Sequence, residues 1–390
     1  NDAGNQIEKF AKSLEARYIQ ELQGEDAVEF PEDGYHGEDI RVHAKNFIAL
    51  HGGDYLDKPE EERRNALVNY ALKINIDALK TDLEKYRIYY DVWFRESVLH
   101  ENGKAREVVD ELTQRGHTYE KDGAIWFKAT DFGEEKDEVL VRANGFLTYF
   151  AVDIAYHRNK LVDRGFQTVI NIWGADHGHV ARLKAAISAL GIDPSRLEVI
   201  LMQLVRLVQG GEVVRMSKRT GKSITLNDLL EETSIDAARF FFNMRQANSH
   251  FDFDLDLAVQ QSNENPVFYV QYAHARICSI LRLLAQENIT VKPAKEADLS
   301  LLREEKEIDL IKLLARFPEE IGAAATLREP SRITRYVMDL ASGFHTFYGA
   351  CRVKTEDNAL MDARLVLVNA VKTVLKNALT LLSIDAPEQM

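Results

Sequence analysis

Thr168-Val169-Ile170-Asn171-Ile172-Trp173-Gly174-Ala175-Asp176-His177-Gly178-His179-Val180-Ala181-Arg182-Leu183-Lys184-Ala185-Ala186-Ile187, with Val199-Ile200-Leu201 beyond it, reads as strand, helix, strand. The run 168–173 is apolar and β-branched and is bounded by turns. Val180 to Ile187 has helical spacing, and Gly191 closes it. A strand–helix–strand unit over 168–205 implies a parallel sheet with a right-handed crossover. Both strands are near-continuous apolar runs, so burial on both faces is expected.

Outward from this unit the period changes. Upstream, Ile125-Trp126-Phe127 and Val139-Leu140-Val141 are further short strands. Downstream, Gly210-Gly211 turns a hairpin into Val213-Val214. Ile7, Phe10, Ala11, Leu14, Tyr18 and Leu22 recur at helical spacing near the start. A long helix is expected from Pro59, its first turn acidic (Glu60, Glu61, Glu62), with Leu67, Tyr70, Ile74, Leu79, Leu83 and Tyr86 as its inner stripe. Residues 103–115 read as another helix. Beyond 225 everything reads as helical: a Thr225-x-x-Asp228 capping box, a helix opened by Asn265-Pro266, and amphipathic stretches at 305–325, 332–349 and 363–382. The class is α/β plus all-α: an α/β domain with a long insertion, then a helical bundle.

The 390 residues carry 49 Lys and Arg against 62 Asp and Glu, a net charge of −13 that argues against nonspecific coating of nucleic acid. A local basic face stays open. With 45% apolar and 28% charged residues, the chain is no disordered, collagen-like or coiled-coil sequence. No apolar run reaches the ~18–20 residues of a membrane helix, so no membrane partner is expected. Cys278 and Cys351 lie far apart without a Cys-x-x-Cys pair, which points away from disulfides and from cysteine-held zinc and towards a reducing compartment.

Four stretches carry candidate chemistry. Trp173-Gly174-Ala175-Asp176-His177-Gly178-His179 lies where a strand ends and a helix begins, the place where ligands bind in open parallel sheets. A glycine there lets a base approach the backbone, and an Asp accepts from ribose hydroxyls; a simple capped turn explains the stretch equally well. Two histidines two apart are a poor pair of metal ligands. Val214-Arg215-Met216-Ser217-Lys218-Arg219-Thr220-Gly221-Lys222 holds four cations between Arg215 and Lys222, suited to neutralising phosphate in nucleotidyl transfer; taken alone, a solvated basic loop is the commoner explanation. Tyr149 and Asp153, four apart, share one side of a helix if the stretch is helical, and together suit a guanidinium. Taken alone, a helix with an N-terminal Asp and a packed Tyr is the commoner explanation of that pattern. Tyr269, Tyr272 and Arg276 share a helical face after Asn263-Glu264-Asn265, an arrangement used for stacking unpaired bases and, more often, for core packing.

In this order the four stretches resemble one family, the arginyl-tRNA synthetases of class I. Asn1-Asp2-Ala3-Gly4-Asn5-Gln6 resembles the block just after the family's first nucleotide-binding motif. Met216-Ser217-Lys218-Arg219 resembles the class signature Lys-Met-Ser-Lys-Ser, with Arg215 and Arg219 at its first and last positions. Asp236-Ala237-Ala238-Arg239 resembles the Asp-Ala-Leu-Arg element, and Asn263 to Arg276 resembles the opening of an anticodon-binding bundle. One element is absent: no two of the 11 histidines are three apart, so no His-x-Gly-His occurs. The family places that motif shortly before the block that opens this chain. The expectation is therefore a C-terminal majority of such an enzyme.

The resemblance implies an N-terminally incomplete Rossmann-type catalytic domain over 1–232 with an insertion over about 27–137. A stem-contact connector over 233–255 and an α-helical anticodon-binding domain over 256–390 follow. It implies ligation of L-arginine to tRNA(Arg) through an arginyl-adenylate, with ATP as substrate, Mg2+ accompanying ATP, and no zinc or other metal site. Lys218, with Ser217 and Met216, would serve the phosphate chemistry. Gly174 and Asp176 would hold adenosine. Tyr149, Asp153 and His177 would read arginine, and Tyr269, Tyr272, Arg276, Tyr348 and Met390 would meet tRNA. A cytoplasmic monomer is expected, inactive as these residues alone. Two alternatives stand beside this: a tRNA-binding module without catalysis, and another class I enzyme such as a cysteinyl-tRNA synthetase, disfavoured by the lack of a cysteine cluster.

Overall fold

The computed structural model describes residues 2–175, 178–214 and 224–390. The chain divides into two compact units, one of residues 1–84 and 88–200, the other of residues 85–87 and 201–390.

The first unit opens with three helices, α1 (Asn5–Gln23), α2 (Glu38–His51) and α3 (Glu60–Lys85, whose last residue belongs to the second unit). Phe10, Leu14 and Tyr18 of α1 meet Ile40, Ala44 and Phe47 of α2 and Leu67 and Ala71 of α3 in one core. The periodic stripe read in α1 is its buried face. On α3 the stripe extends too far: Ile74 and Leu79 are 39% and 54% exposed, because that core reaches only the first half of the helix.

A second core follows, built on α4 (Ser97–Glu101) and α5 (Lys104–Gln114), then β1 (Thr118–Lys121), β2 (Ala124–Phe127) and β3 (Glu138–Val141). The three strands form an antiparallel sheet in chain order, with Thr118 opposite Phe127 and Ile125 opposite Val141. Next come α6 (Tyr149–Arg158), β4 (Val169–Gly174), α7 (Val180–Ala189) and β5 (Leu197–Met202). Strands β4 and β5 are hydrogen-bonded neighbours on either side of α7, as the strand–helix–strand pattern requires. Val169 and Leu197 pack with Ile154 of α6 and Leu183 and Ile187 of α7.

The expectation of strands buried on both faces is corrected here. Only the face carrying Val169 and Asn171 turns towards α6; with a period of two, Ile170 and Ile172 take the other face and are 43% and 64% exposed. Leu201 is 37% exposed for its part.

The second unit begins with the hairpin β6 (Val205–Gln209) and β7 (Glu212–Val214). Gly210 and Gly211 sit at φ 60° and 80°, which a type I′ turn needs and side chains resist. Helices α8 (Leu226–Glu232) and α9 (Ile235–Asn243) follow, the first closed by the expected Thr225/Asp228 capping box. The all-helical reading after 225 then fails at β8 (Phe251–Asp254), which pairs parallel with β6, Val205 opposite Phe251. Phe251-Asp252-Phe253-Asp254 alternates with a period of two, but over only four residues. After α10 (Leu255–Ala258), Asn265 caps α11 (Pro266–Gln286) with Pro266 in its first turn. The single helix expected over 305–325 is two, α12 (Glu305–Ala315) and α13 (Phe317–Leu327), since Pro318 lacks the N–H that would continue the first. Helices α14 (Ser331–Ala350) and α15 (Asn358–Leu381) complete the bundle. Its core joins Val270 and Ile277, Leu310, Phe344 and Phe347, and Val368 and Leu375 from α11, α12, α14 and α15.

Cys278 and Cys351 are both free and buried. No helix among the described residues is long and apolar enough to cross a membrane.

Candidate functional site

Thr148 sets the position of α6. Its backbone N–H donates to Leu140 and its hydroxyl to the Val139 carbonyl at 2.7 Å, while the same oxygen caps the helix at Ala151 N. The first turn of α6 is thereby tied to β3, and Tyr149 and Asp153 stand on one exposed side of a true helix, as their spacing predicts.

Tyr149 lines a cleft of about 320 Å³ together with Gly4, Glu8, Glu96, His100 and Arg142. Gly4 lies against the phenol: a Cβ there would sit 3.3 Å from both Tyr149 Cε1 and its hydroxyl. Asp2 fastens the other wall, accepting from Arg95 Nε at 2.8 Å, Ser97 N at 2.9 Å and Ser97 Oγ at 2.8 Å. Burial pushes the Asp2 carboxyl up, but the bonds from Arg95 and Ser97 outweigh it and hold it below the usual range. These contacts give physical roles to the block that opens the chain.

Glu96 is a residue that sequence reasoning missed. It is half-buried, and its carboxyl is pushed up by burial and by the Asp153 and Asp2 carboxylates nearby. A carboxyl with other carboxylates close by favours a cation beside it. The sequence signal was faint, one acid beside Phe94 with no periodicity.

Beneath Asp153 lies a buried polar chain. Asn171 Nδ2 donates to His157 Nε2 at 2.7 Å, so His157 Nδ1 carries the proton and donates to the Asp153 carbonyl at 2.7 Å. Burial, then the charge of Lys160, brings the His157 pKa down to about 4. Lys160 Nζ is 3.4 Å from Asn171 Oδ1 and 4.0 Å from the Tyr156 ring centroid; burial brings its pKa down to about 8.

Gly174 closes β4, half-buried, and exposed Gly178 and His179 lead into α7, the strand-to-helix turn expected of the first candidate stretch. Asp176 and His177 lie outside the described residues, as do Met216, Ser217 and Lys218. Among the described residues no three His, Cys, Asp or Glu side chains gather to hold a metal ion.

In the second unit α11 and α14 bring four of the five proposed tRNA residues together. Arg276 lies 4.5 Å over the Tyr348 ring and 5.9 Å from that of Tyr272. His345, also missed, sits between Tyr269 and Tyr272, at 5.1 and 6.0 Å from their ring centroids. Its Nε2 is buried without a hydrogen-bond partner, and burial with the Arg276 charge keeps its pKa low. Tyr269 and Tyr348 also pack on the core, so the stripe is half core and half surface. Met390 is 55% exposed at the end of a tail whose Pro387 carbonyl accepts from His274 Nδ1 at 2.9 Å.

Comparison with known proteins matches two family models along the chain. The model of the class I tRNA synthetase catalytic domain of the R type covers residues 2–267, and that of the DALR anticodon binding domain covers residues 270–390. An arginine–tRNA ligase of Caldanaerobacter subterraneus subsp. tengcongensis is 63% identical over 391 residues, spanning 100% of this chain and 69% of its own length. That of Ruminiclostridium cellulolyticum is 60% identical with the same coverage. The solved structure of a candidate arginyl-tRNA synthetase of Campylobacter jejuni aligns with a TM-score of 0.88 at 32% identity, over 100% of this chain and 84% of that one. A Mycobacterium tuberculosis methionyl-tRNA synthetase in complex with methionyl-adenylate shares the fold alone, with a TM-score of 0.59 at 12% identity over 97% and 88% of the two chains. The architecture is thus a class I synthetase catalytic domain joined to a helical anticodon-binding domain, and with identity this high along its whole length the chain belongs to the arginyl-tRNA synthetase family.

Proposed function

We propose that these residues form the arginine-reading and tRNA-reading parts of an enzyme that charges tRNA(Arg) through arginyl-adenylate, and that the 390 residues alone do not catalyse it. The observation that carries the first part is the cleft in which Tyr149 stands beside Glu96, with Asp153 close enough to raise the Glu96 pKa. A guanidinium entering there is paired by Asp153 and Glu96 and bounded by the phenol of Tyr149, with His177 as a further contact. Gly174 and Asp176 face the adenosine of ATP at the end of β4. Lys218, on the loop with Met216 and Ser217, steadies charge developing on the α-phosphate as the arginine carboxylate attacks it and pyrophosphate leaves. Mg2+ arrives with ATP, and zinc takes no part.

Tyr269, Tyr272, Arg276, Tyr348 and Met390 form the surface for anticodon-loop bases. The functional domains we assign are 1–232, a connector over 233–255, and 256–390. The protein works as a monomer in the cytoplasm. Inactivity of the isolated residues rests on the absence of His-x-Gly-His, half of the class's grip on ATP.

Calorimetry with L-arginine and with citrulline, its neutral isostere, tests the pocket. Arginine should bind and citrulline should not, with the preference lost in Asp153→Asn. Equal binding of the two would move specificity elsewhere. Arginine-dependent pyrophosphate exchange by a mass-verified 390-residue chain would overturn the inactivity.

A further inference from the structure

The Asp236-Ala237-Ala238-Arg239 element takes no part in either site, yet it holds the end of the chain. Asp236, in the first turn of α9 with its side chain 15% exposed, accepts from Arg87 Nη1 and Gln271 Nε2, each at 2.7 Å, and from Asp385 N at 3.2 Å. Arg239, one turn later, donates from Nε to the Leu382 carbonyl at 2.8 Å and from Nη1 to the Tyr86 carbonyl at 2.7 Å. Arg87 also reaches the tail itself, through the Ser383 carbonyl at 2.8 Å and the Asp385 carboxylate at 2.6 Å. From α11, Gln271 donates to the Asp385 carbonyl and His274 to that of Pro387, both at 2.9 Å.

Residues 383–390 contain no helix or strand; these bonds, together with Ile384 buried in the bundle core, hold the stretch as far as Pro387. Arg87 and Ser383 adopt φ 61° and 55°, a left-handed backbone that non-glycine residues keep only where the surroundings fix it. A lysine at 87 would not serve, since the planar guanidinium reaches two carboxylates and a carbonyl at once.

We propose that Arg87, Asp236 and Asp385 are positioning residues for tRNA recognition: they fix the tail in advance so that Met390 is presented to the anticodon loop. This rests on the tRNA-facing role assigned to Met390 above. A tail ordered before binding loses no conformational freedom on binding, and the saving appears as affinity. Met390 itself lies three residues beyond Pro387, the last residue of the tail bonded in this way, and is 55% exposed.

The test uses the 390-residue chain, with dissociation constants measured for tRNA(Arg) and for an unrelated tRNA. The variants are Arg87→Gln, Asp385→Asn, a chain lacking Met390, and each substitution combined with that deletion. Deleting Met390 should reduce the preference for tRNA(Arg) about tenfold, the scale of one lost buried apolar side chain. Arg87→Gln and Asp385→Asn should reproduce most of that loss and add little once Met390 is gone, a non-additivity that a plain structural staple does not produce. Asp385, with its side chain 71% exposed, is replaceable without disturbing the core, so Asp385→Asn decides the matter should Arg87→Gln unfold. If deletion lowers the preference but the substitutions do not, the positioning role is wrong and that of Met390 stands. If deletion itself changes nothing, the role of Met390 falls and the positioning role with it.

Discussion

Asn171 and His157 share a buried hydrogen bond of 2.7 Å that joins β4 to α6 directly below Asp153. The bond fixes which ring nitrogen carries the proton, and so fixes the backbone from which Asp153 projects. It requires a neutral imidazole, because a protonated ring has no lone pair to accept from Asn171.

The first prediction follows from that neutrality. The folded pKa of His157, about 4, lies below its ordinary 6.5, so between those values the unfolded chain binds a proton that the folded chain does not. Stability therefore falls as pH drops through this window, is flat above it, and loses its slope again below about 4. At pH 5 the loss relative to pH 7 is on the order of 2 kcal/mol from this group. Urea titrations of the wild type and His157→Gln at both pH values check it: the variant should lack this share of the pH dependence. Equal slopes would place the acid sensitivity elsewhere.

Gly4 provides the second. An alanine there meets both a backbone at φ 84° and the Tyr149 ring 3.3 Å from its Cβ. The backbone strain costs ~1–3 kcal/mol, and the tight contact requires the phenol to shift within the cleft by a few tenths of an ångström. Gly4→Ala should lower both the melting temperature and the affinity for L-arginine. A variant that loses stability but binds arginine as before would show that the phenol does not face the ligand.

Arg364 and Glu307 provide the third. Nε and Oε1 are 2.6 Å apart, with the side chains 9% and 0% exposed, and Arg364 also donates to the Arg352 carbonyl at 2.7 Å. Removing one partner leaves a charge buried without its counterpart, so Glu307→Ala should cost about 3–5 kcal/mol. Glu307→Leu combined with Arg364→Met should recover much of that, because the desolvation of both charges disappears together. Urea midpoints of the single and double variants read the difference directly.

What was legible in the sequence follows from how local each signal is. The caps at Thr225 and Asn265, the Gly210-Gly211 turn and the apolar face of α1 depend on a few neighbouring residues, and all stand as read. Strand β8 was missed because its period-two run is four residues long and is stabilised by β6, far earlier in the chain. The open face of β4 was invisible for a related reason: apolar content tells which residues favour burial, not how many layers cover them. That Tyr149 and Asp153 share one exposed side of α6 was legible because helix geometry links positions four apart. Glu96, Asn171 and His345 reach their partners only through tertiary packing, and no spacing rule points to them.

The last prediction concerns the aromatic face of α11 and α14. Arg276 lies 4.5 Å over Tyr348, and its charge also acts on His345, whose Nε2 is buried without a partner. An unstacked anticodon-loop base on Tyr348 gains ~1–3 kcal/mol, and the guanidinium beside it adds phosphate attraction that salt weakens. Tyr348→Ala should therefore weaken tRNA(Arg) about fivefold or more at any salt concentration, whereas Arg276→Gln should act mainly at low salt and flatten the salt dependence. Tyr348→Phe keeps the ring and should bind almost as the wild type does. The competing account makes Tyr348 a packing residue, since its ring also lies on the bundle core. Melting temperatures separate the two: packing alone predicts that Tyr348→Ala loses stability in step with binding. Stacking predicts that binding falls further than stability does, and more for tRNA(Arg) than for an unrelated tRNA. A loss of affinity equal for both tRNAs, and abolished at high salt, would reduce this face to an electrostatic surface.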